Sequence, residues 1–348
     1  MYLQKVVLTE LEVVVGSLAL LGVINDHDDQ YTYSEAPTFH VDDLQEVHEF
    51  LQIRYNGLNT IELPSLTFVG RTLELKDNPH LQEFDFPLLQ EVGLHLIIQD
   101  NPNLSEIYLP KLTTIRWDLW IQYNTHLETI DTPELSYIGE DYELHFCGDL
   151  LTINHPNLVW IGEDLEIYST ISLKEFHLPK LEYIGEDLEF DNSPRLKTIK
   201  LPELRRIDED LTISSLPNLK QLDVPNLEEV GEDFEFIIVG LPKMYFPSLH
   251  LIESDTLITE MPNLKSIEMP EIVIMEGGLE VNGCHQLKKI GKSISMKRLA
   301  ASAWLKVFIL TNDNDAPLPT LTADLPVEVI GSNPKKQQQE MHGKWCRH

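Results

Sequence analysis

Residues 156–178 read PNLVWIGEDLEIYSTISLKEFHL, and the residue that follows is again a proline, Pro179. That spacing recurs along the chain. Pro64, Pro87, Pro110, Pro133, Pro156, Pro179, Pro202 and Pro225 stand 23 residues apart, and after a one-residue deletion Pro247 and Pro270 continue the series. A fixed period of this length marks a solenoid, one small unit stacked on itself. With each proline as offset 0, apolar residues return at offsets 2, 5, 9, 11, 17, 20 and 22, glycine at 6 and a second proline at 15. In the quoted unit the apolar set is Leu158, Ile161, Leu165, Ile167, Leu173, Phe176 and Leu178, with Gly162 at the glycine position. Leu165–Ile167 and Phe176–Leu178 have the spacing of two that places both side chains on one face of a strand. Spacings of three read as tight corners, and no stretch of the unit holds a helical period.

Each turn therefore climbs one ladder step, and its strands join parallel sheets. The pattern already runs through Leu51, Ile53, Asn56 and Leu58 and ends through Leu279, Val281, Leu287 and Ile290. That makes about eleven turns, roughly 50 Å of ladder. The expected fold is mainly β, a right-handed solenoid of about eleven 23-residue turns with N- and C-terminal caps. The expected divisions are an N-terminal cap at 1–40, the solenoid at 41–292, a C-terminal cap of helix plus strand at 293–331 and a polar tail at 332–348. The helix is expected at 293–307, where Ser293 precedes Met296, Leu299, Ala300, Ala303, Trp304 and Val307 at helical spacing; the strand is expected in LPVEVIG, from Leu325 to Gly331.

L-x-I-x-x-N together with L-x-x-I is the grammar of leucine-rich repeats. The form found here, I-x-L-P-x-L-x-x-I-G, is similar to BspA-type 23-residue repeats and resembles the receptor L domains of the insulin-receptor type, over about residues 41–291. The resemblance implies a leucine-rich-repeat-like solenoid that recognises a protein or a glycan, without catalysis.

Composition narrows the partner. Against 57 acidic residues stand 26 basic ones, a formal charge of −31. Nucleic acid needs a basic footprint and is excluded on this balance, as is an anionic membrane surface; a basic protein partner, or simple solubility, fits it. The three cysteines, Cys147, Cys284 and Cys346, form no disulfide framework. Cys147 and Cys284 share a column six turns apart, about 29 Å by the ladder spacing. Free thiols suit a reducing compartment, and Glu10 and Glu12 interrupt the apolar stretch Val6–Ile24 that would otherwise resemble an export signal; the expectation is a cytoplasmic protein.

Three columns carry the functional reading. Asn78, Asn101 and Asn124 stack at offset 14 as a structural ladder. A Gly-Glu-Asp column runs from Gly139-Glu140-Asp141 through Gly162-Glu163-Asp164 and Gly185-Glu186-Asp187 to Gly231-Glu232-Asp233, with Asp208 in place of glycine in the fourth of the five copies. It is either an acidic groove for a basic partner or a weak Ca²⁺ surface, or else a turn in which Gly adopts φ > 0 and Asp accepts backbone N–H groups. The outward row at offset 10 reads Glu74, Ile97, Trp120, Glu143, Glu166, Glu189, Thr212, Glu235, Leu257, Glu280. With Tyr123, His145, Phe146 and Tyr168 from neighbouring columns, Trp120 makes a candidate aromatic patch rimmed by Glu143, Glu166, Glu189 and Glu235. Alternatively, offsets 12 and 13 point partly inward and the rings fill the corner. A second outward row, at offset 21, holds Glu62, Asp85, Tyr108, Asp131, Asn154, His177, Lys200 and Asp223.

No catalytic motif is present: G-x-S-x-G, H-E-x-x-H, a P-loop and C-x-x-C are all missing, and the acidic runs Asp26–Asp29 and Asn312–Asp315 lack EF-hand spacing. No cofactor is expected. The leading reading is a non-enzymatic protein-recognition scaffold. The alternatives are a carbohydrate-binding or carbohydrate-active β-solenoid and a self-assembling spacer. For the spacer, the acid-free stretch from Asn282 to Asn312, with Lys288, Lys289, Lys292, Lys297, Arg298 and Lys306, would dock on the acidic body of a second copy to give a homo-oligomer; the other reading is a cap that balances the field of its own solenoid.

Overall fold

The computed structural model describes residues 10–21 and 38–290 apart from 276, together with the strand backbones Lys5–Val7, Arg298–Leu299, Leu305–Val307, Thr320–Leu321 and Glu328–Val329. Each turn supplies three strands. In the unit quoted above they are Trp160–Ile161, Leu165–Tyr168 and Glu175–His177. Every pairing is parallel and joins like positions of successive turns: Leu165 faces Leu188, Glu166 faces Glu189, Ile167 faces Phe190 and Tyr168 faces Asp191. The four-residue strands, with Leu305–Val307 and Glu328–Val329 at the C-terminal end, build a sheet of 14 and the two-residue corner strands a sheet of 13, while the three-residue strands, with Lys289–Ile290 and Thr320–Leu321 at the end, form a third face divided into sheets of 4, 3, 3 and 4. The architecture is a parallel β-solenoid.

The first of these faces follows from the period-two spacing. The two-residue face does not, because two residues contain no i, i+2 pair; the spacing of three that reads as a corner hides a strand whose second residue, such as Ile161, is buried. Inward side chains of all three faces stack as columns, and one hydrophobic core runs from Phe39 to Ile290. Each fully buried leucine or isoleucine contributes roughly 1.5–3 kcal/mol, so the repetition itself holds the body together.

The corners are made by three further columns. At offset 13 every turn places its residue in the left-handed region: Tyr55, Asp77, Asp100, Tyr123, Phe146, Ser169, Asn192, Ser215, Ile238, Glu260 and Gly283, with φ from 48° to 68°. The next side chain then points inward. Asn78 Nδ2 donates to Ile53 O at 2.9 Å, Asn101 Nδ2 to Leu75 O at 2.9 Å and Asn124 Nδ2 to Ile98 O at 2.7 Å, while each Oδ1 accepts the backbone N–H one turn below. Cys147 continues this ladder, its thiol directed at Ile121 O at 3.8 Å. Cys147 and Cys284 are free and buried, and burial pushes their thiols up to about 12 and about 11.

Glycine at offset 6 has a different role from the expected one. None of the offset-6 glycines has a positive φ. A Cβ on Gly162 would stand 1.8 Å from the carbonyl oxygen of Gly139, and one on Gly185 1.7 Å from that of Gly162. Where glycine occupies this offset, its place is set by close approach of successive turns and not by a left-handed backbone; Arg116, Asp208 and Glu253 fill the same offset in other turns.

Among the described residues the core column at offset 22 is apolar except at Thr132 and His155. His155 is buried between Thr132 and Tyr142: its Nδ1 lies 2.6 Å from Thr132 Oγ1 and its Nε2 2.9 Å from Tyr142 OH. A neutral imidazole has one donor and one acceptor nitrogen, so two hydroxyls satisfy it. Burial holds the imidazole pKa down to about 4.

The ends extend the ladders. Lys5–Val7 pairs with Thr38–His40, Val13–Val14 with Glu46–Val47 and Leu18–Leu21 with Leu51–Arg54, so the segment expected as a cap adds a strand to each face. Of the helix expected at 293–307, the described residues are strands instead: Arg298–Leu299 pairs with Ile274–Met275, and Leu305–Val307 with Leu279–Val281. An open parallel edge presents unpaired N–H and C=O groups, and these recruit the next segment as a strand over its local helical spacing. Glu328–Val329 then pairs with Lys306–Val307. The tail at 332–348 lies outside the described residues.

Candidate functional site

The expected outward row is in register. Glu74, Ile97, Trp120, Glu143, Glu166, Glu189, Thr212, Glu235, Leu257 and Glu280 face one another in order across the 14-stranded sheet. Buried neighbours on either side, such as Tyr142 and Leu144 around Glu143, hold each of these side chains outward.

Beside this row runs the Gly-Glu-Asp corner. Its aspartates form a second ladder: Asp118, Asp141, Asp164, Asp187, Asp210, Asp233 and Asp255 each accept, through Oδ1, the backbone N–H of the like position one turn on, at 2.7–3.3 Å. The aspartates are therefore structural. The glutamates at offsets 7 and 10 on either side have no such partner, and none of Glu140, Glu163, Glu166, Glu186, Glu189, Glu209 or Glu235 pairs with Lys or Arg among the described residues. Burial, reinforced by the neighbouring carboxylates, raises Glu140, Asp141, Glu143, Glu163, Glu186, Glu189, Glu209, Asp210 and Glu235 above the ordinary carboxylate range, and Asp164 is pushed up to about 7. These glutamates form a run of negative charge with no Lys or Arg partner among the described residues.

The aromatic residues fall into two groups. Tyr123 and Phe146 occupy the left-handed column, 43% and 37% exposed, with rings stacked at 4.8 Å and 8°. Tyr168 meets Phe146 edge-on at 5.0 Å and His145 at 5.8 Å. These rings point outward and do not fill the corner. Leu151 and Ile171 are exposed at the same corner in the same turns, where Thr125, Gly148 and Ile171 replace the second proline. Trp120 belongs to the other group. It is half-buried, stacked on His95 at 5.5 Å, with Trp117 edge-on to His95 at 5.2 Å and Asp118 Oδ2 2.7 Å from His95 Nδ1.

Bulky side chains in the left-handed region are strained by roughly 1–2 kcal/mol each. Asp77, Asp100, Asn192 and Gly283 occupy the same column, so the backbone does not require a ring there. His145 stands between two carboxylates, Nδ1 3.7 Å from Glu143 Oε2 and Nε2 3.0 Å from Glu166 Oε2.

Sequence reasoning missed Trp117 and His95, and it missed the outward rings of the two-residue face. There Tyr137 and Trp160 are exposed and Trp160 stacks on Tyr183 at 4.0 Å. Their signal is the offset-4 column, Tyr137, Trp160 and Tyr183, which becomes meaningful only once that corner is known to be a strand.

What fold and site define together is a parallel β-solenoid repeat protein with an acidic corner flanked by exposed rings. Comparison with protein-family models, curated proteins and solved structures gives no match.

Proposed function

We propose that this chain is a non-enzymatic, leucine-rich-repeat-like recognition scaffold that binds a basic protein segment along the face of the 14-stranded sheet, between the Gly-Glu-Asp corner and the rings of Tyr123, Phe146 and Tyr168. The observation that carries the reading is the pairing of glutamates that have no Lys or Arg partner among the described residues with the exposed rings of Tyr123 and Phe146, held in a strained backbone region. Strain that folding does not require points to a role in binding. Rings supply contact area at small entropy cost, and carboxylates at the rim steer a basic partner and fix its register.

The test is affinity capture from an extract of the source organism. Tyr123→Ala and Phe146→Ala should keep the far-ultraviolet circular dichroism of the wild type and lose the captured protein. Capture that survives both substitutions ends this reading. The acid-free stretch from Asn282 to Asn312 favours one alternative, assembly with a second copy; in that case light scattering shows a size that grows with concentration and falls with added salt.

A further inference from the structure

Glu143, His145 and Glu166 differ from the rest of the acidic face in chemistry, because an imidazole has been placed between two carboxylates. Glu143 and His145 flank the buried Leu144 on one strand, so both project outward, and Glu166 is the in-register neighbour of Glu143 on the next strand. One donor atom from each residue lies within 4.8 Å of the other two. His145 Nε2 is buried, and its 3.0 Å approach to Glu166 lacks hydrogen-bond geometry, so this nitrogen has no hydrogen-bond partner among the described residues. The ligand set is also held from behind. Gln122 Nε2 donates to Glu143 Oε2 at 2.5 Å, and the Tyr168 ring packs edge-on against the imidazole.

We propose that Glu143, His145 and Glu166 form a binding site for a divalent transition-metal ion of the Zn²⁺ class. Around a tetrahedral ion with bonds of about 2.1 Å, donor atoms sit about 3.4 Å apart, and the donor atoms here already lie within 4.8 Å of one another. One imidazole with two carboxylates suits Zn²⁺, Co²⁺ or Ni²⁺, whereas Ca²⁺ and Mg²⁺ prefer oxygen throughout. Gln122 and Tyr168 are the outer groups that orient such ligands. A dication would also supply positive charge to carboxylates that have no Lys or Arg partner among the described residues. Three protein ligands leave a position for water or for a side chain of a bound molecule. The site stands whether or not the solenoid recognises a protein.

The full-length chain, stripped with a chelator, is titrated with ZnCl₂ by calorimetry and with Co²⁺ by visible absorption. The wild type should bind one ion that His145→Ala and Glu166→Gln each weaken about tenfold or more, and the Co²⁺ spectrum should be that of nitrogen and oxygen ligands. If His145→Ala fails to fold, Glu166→Gln, which keeps the side-chain shape, carries the comparison. The proposal is overturned if the wild type binds no Zn²⁺, or if both variants bind as the wild type does. A thiolate charge-transfer band, or displacement of Zn²⁺ by millimolar Ca²⁺, overturns it equally.

Discussion

Replacing His155 by glutamine removes an imidazole that must stay neutral while the protein is folded. In the native state it is buried between Thr132 and Tyr142, and burial lowers its pKa from 6.5 to about 4. The unfolded chain binds the proton more readily than the folded one, so this group's contribution to stability is complete above pH 6.5 and is lost as pH falls toward 4. From these two values the loss is about 2 kcal/mol at pH 5 and about 3 kcal/mol at pH 4. The raised carboxylates of the acidic corner work in the opposite direction, because they take up protons in the folded state and gain stability as pH falls. Only the difference between wild type and His155→Gln isolates the histidine. Urea unfolding of both proteins at pH 7.5, 5 and 4 gives that difference. The wild type should lead at pH 7.5 and lose about 3 kcal/mol of its lead by pH 4. A difference constant to within about 0.5 kcal/mol across that range would refute the buried, neutral imidazole.

Other outcomes follow from the same columns. Gly162→Ala should destabilise by at least about 3 kcal/mol or abolish folding, because its Cβ would meet Gly139 O at 1.8 Å; Gly148→Ala should be nearly neutral, since its nearest contact is Ile171 at 3.8 Å. Thermal melts of the pair check this. Asp164→Asn keeps an acceptor for the Asp187 N–H and removes a charge whose pKa is raised to about 7. After discounting for its half-exposed position it should stabilise by on the order of 1 kcal/mol at pH 8, and the gain should vanish by pH 4. Phe146→Asn exchanges about 1 kcal/mol of left-handed strain for a similar loss of stacking, so its urea midpoint should stay near the wild type while partner capture is lost. In a Cys346→Ser background, neither Cys147 nor Cys284 should react with a thiol reagent until the chain is unfolded.

The period, the offset-10 row and the Asn ladder were legible because each repeats one chemistry at one spacing. The two-residue face was not, since Trp160–Ile161 and its equivalents offer no alternation to detect. The left-handed column was hidden by its occupants: Tyr123, Phe146 and Ile238 are residues that local preference would keep out of that region, and stacking of the turns imposes it on them. Glycine at offset 6 was legible as a recurrence but not as to its cause, because close approach to a neighbouring turn is a property of the stack and not of the turn. Trp120 was legible as outward, while its lodging on His95 depends on a residue one turn away.

The central claim is that the acidic corner recognises a basic partner, and its charge is the part to vary. Capture from source-organism extract at low and moderate salt is compared between the wild type and the triple variant Glu186→Gln, Glu189→Gln, Glu209→Gln, which leaves the rings, the Asp ladder and the Glu143–His145–Glu166 cluster untouched. The account predicts a basic protein retained by the wild type at low salt, released at moderate salt and absent from the variant. The same protein retained equally by both, with no response to salt, would contradict it.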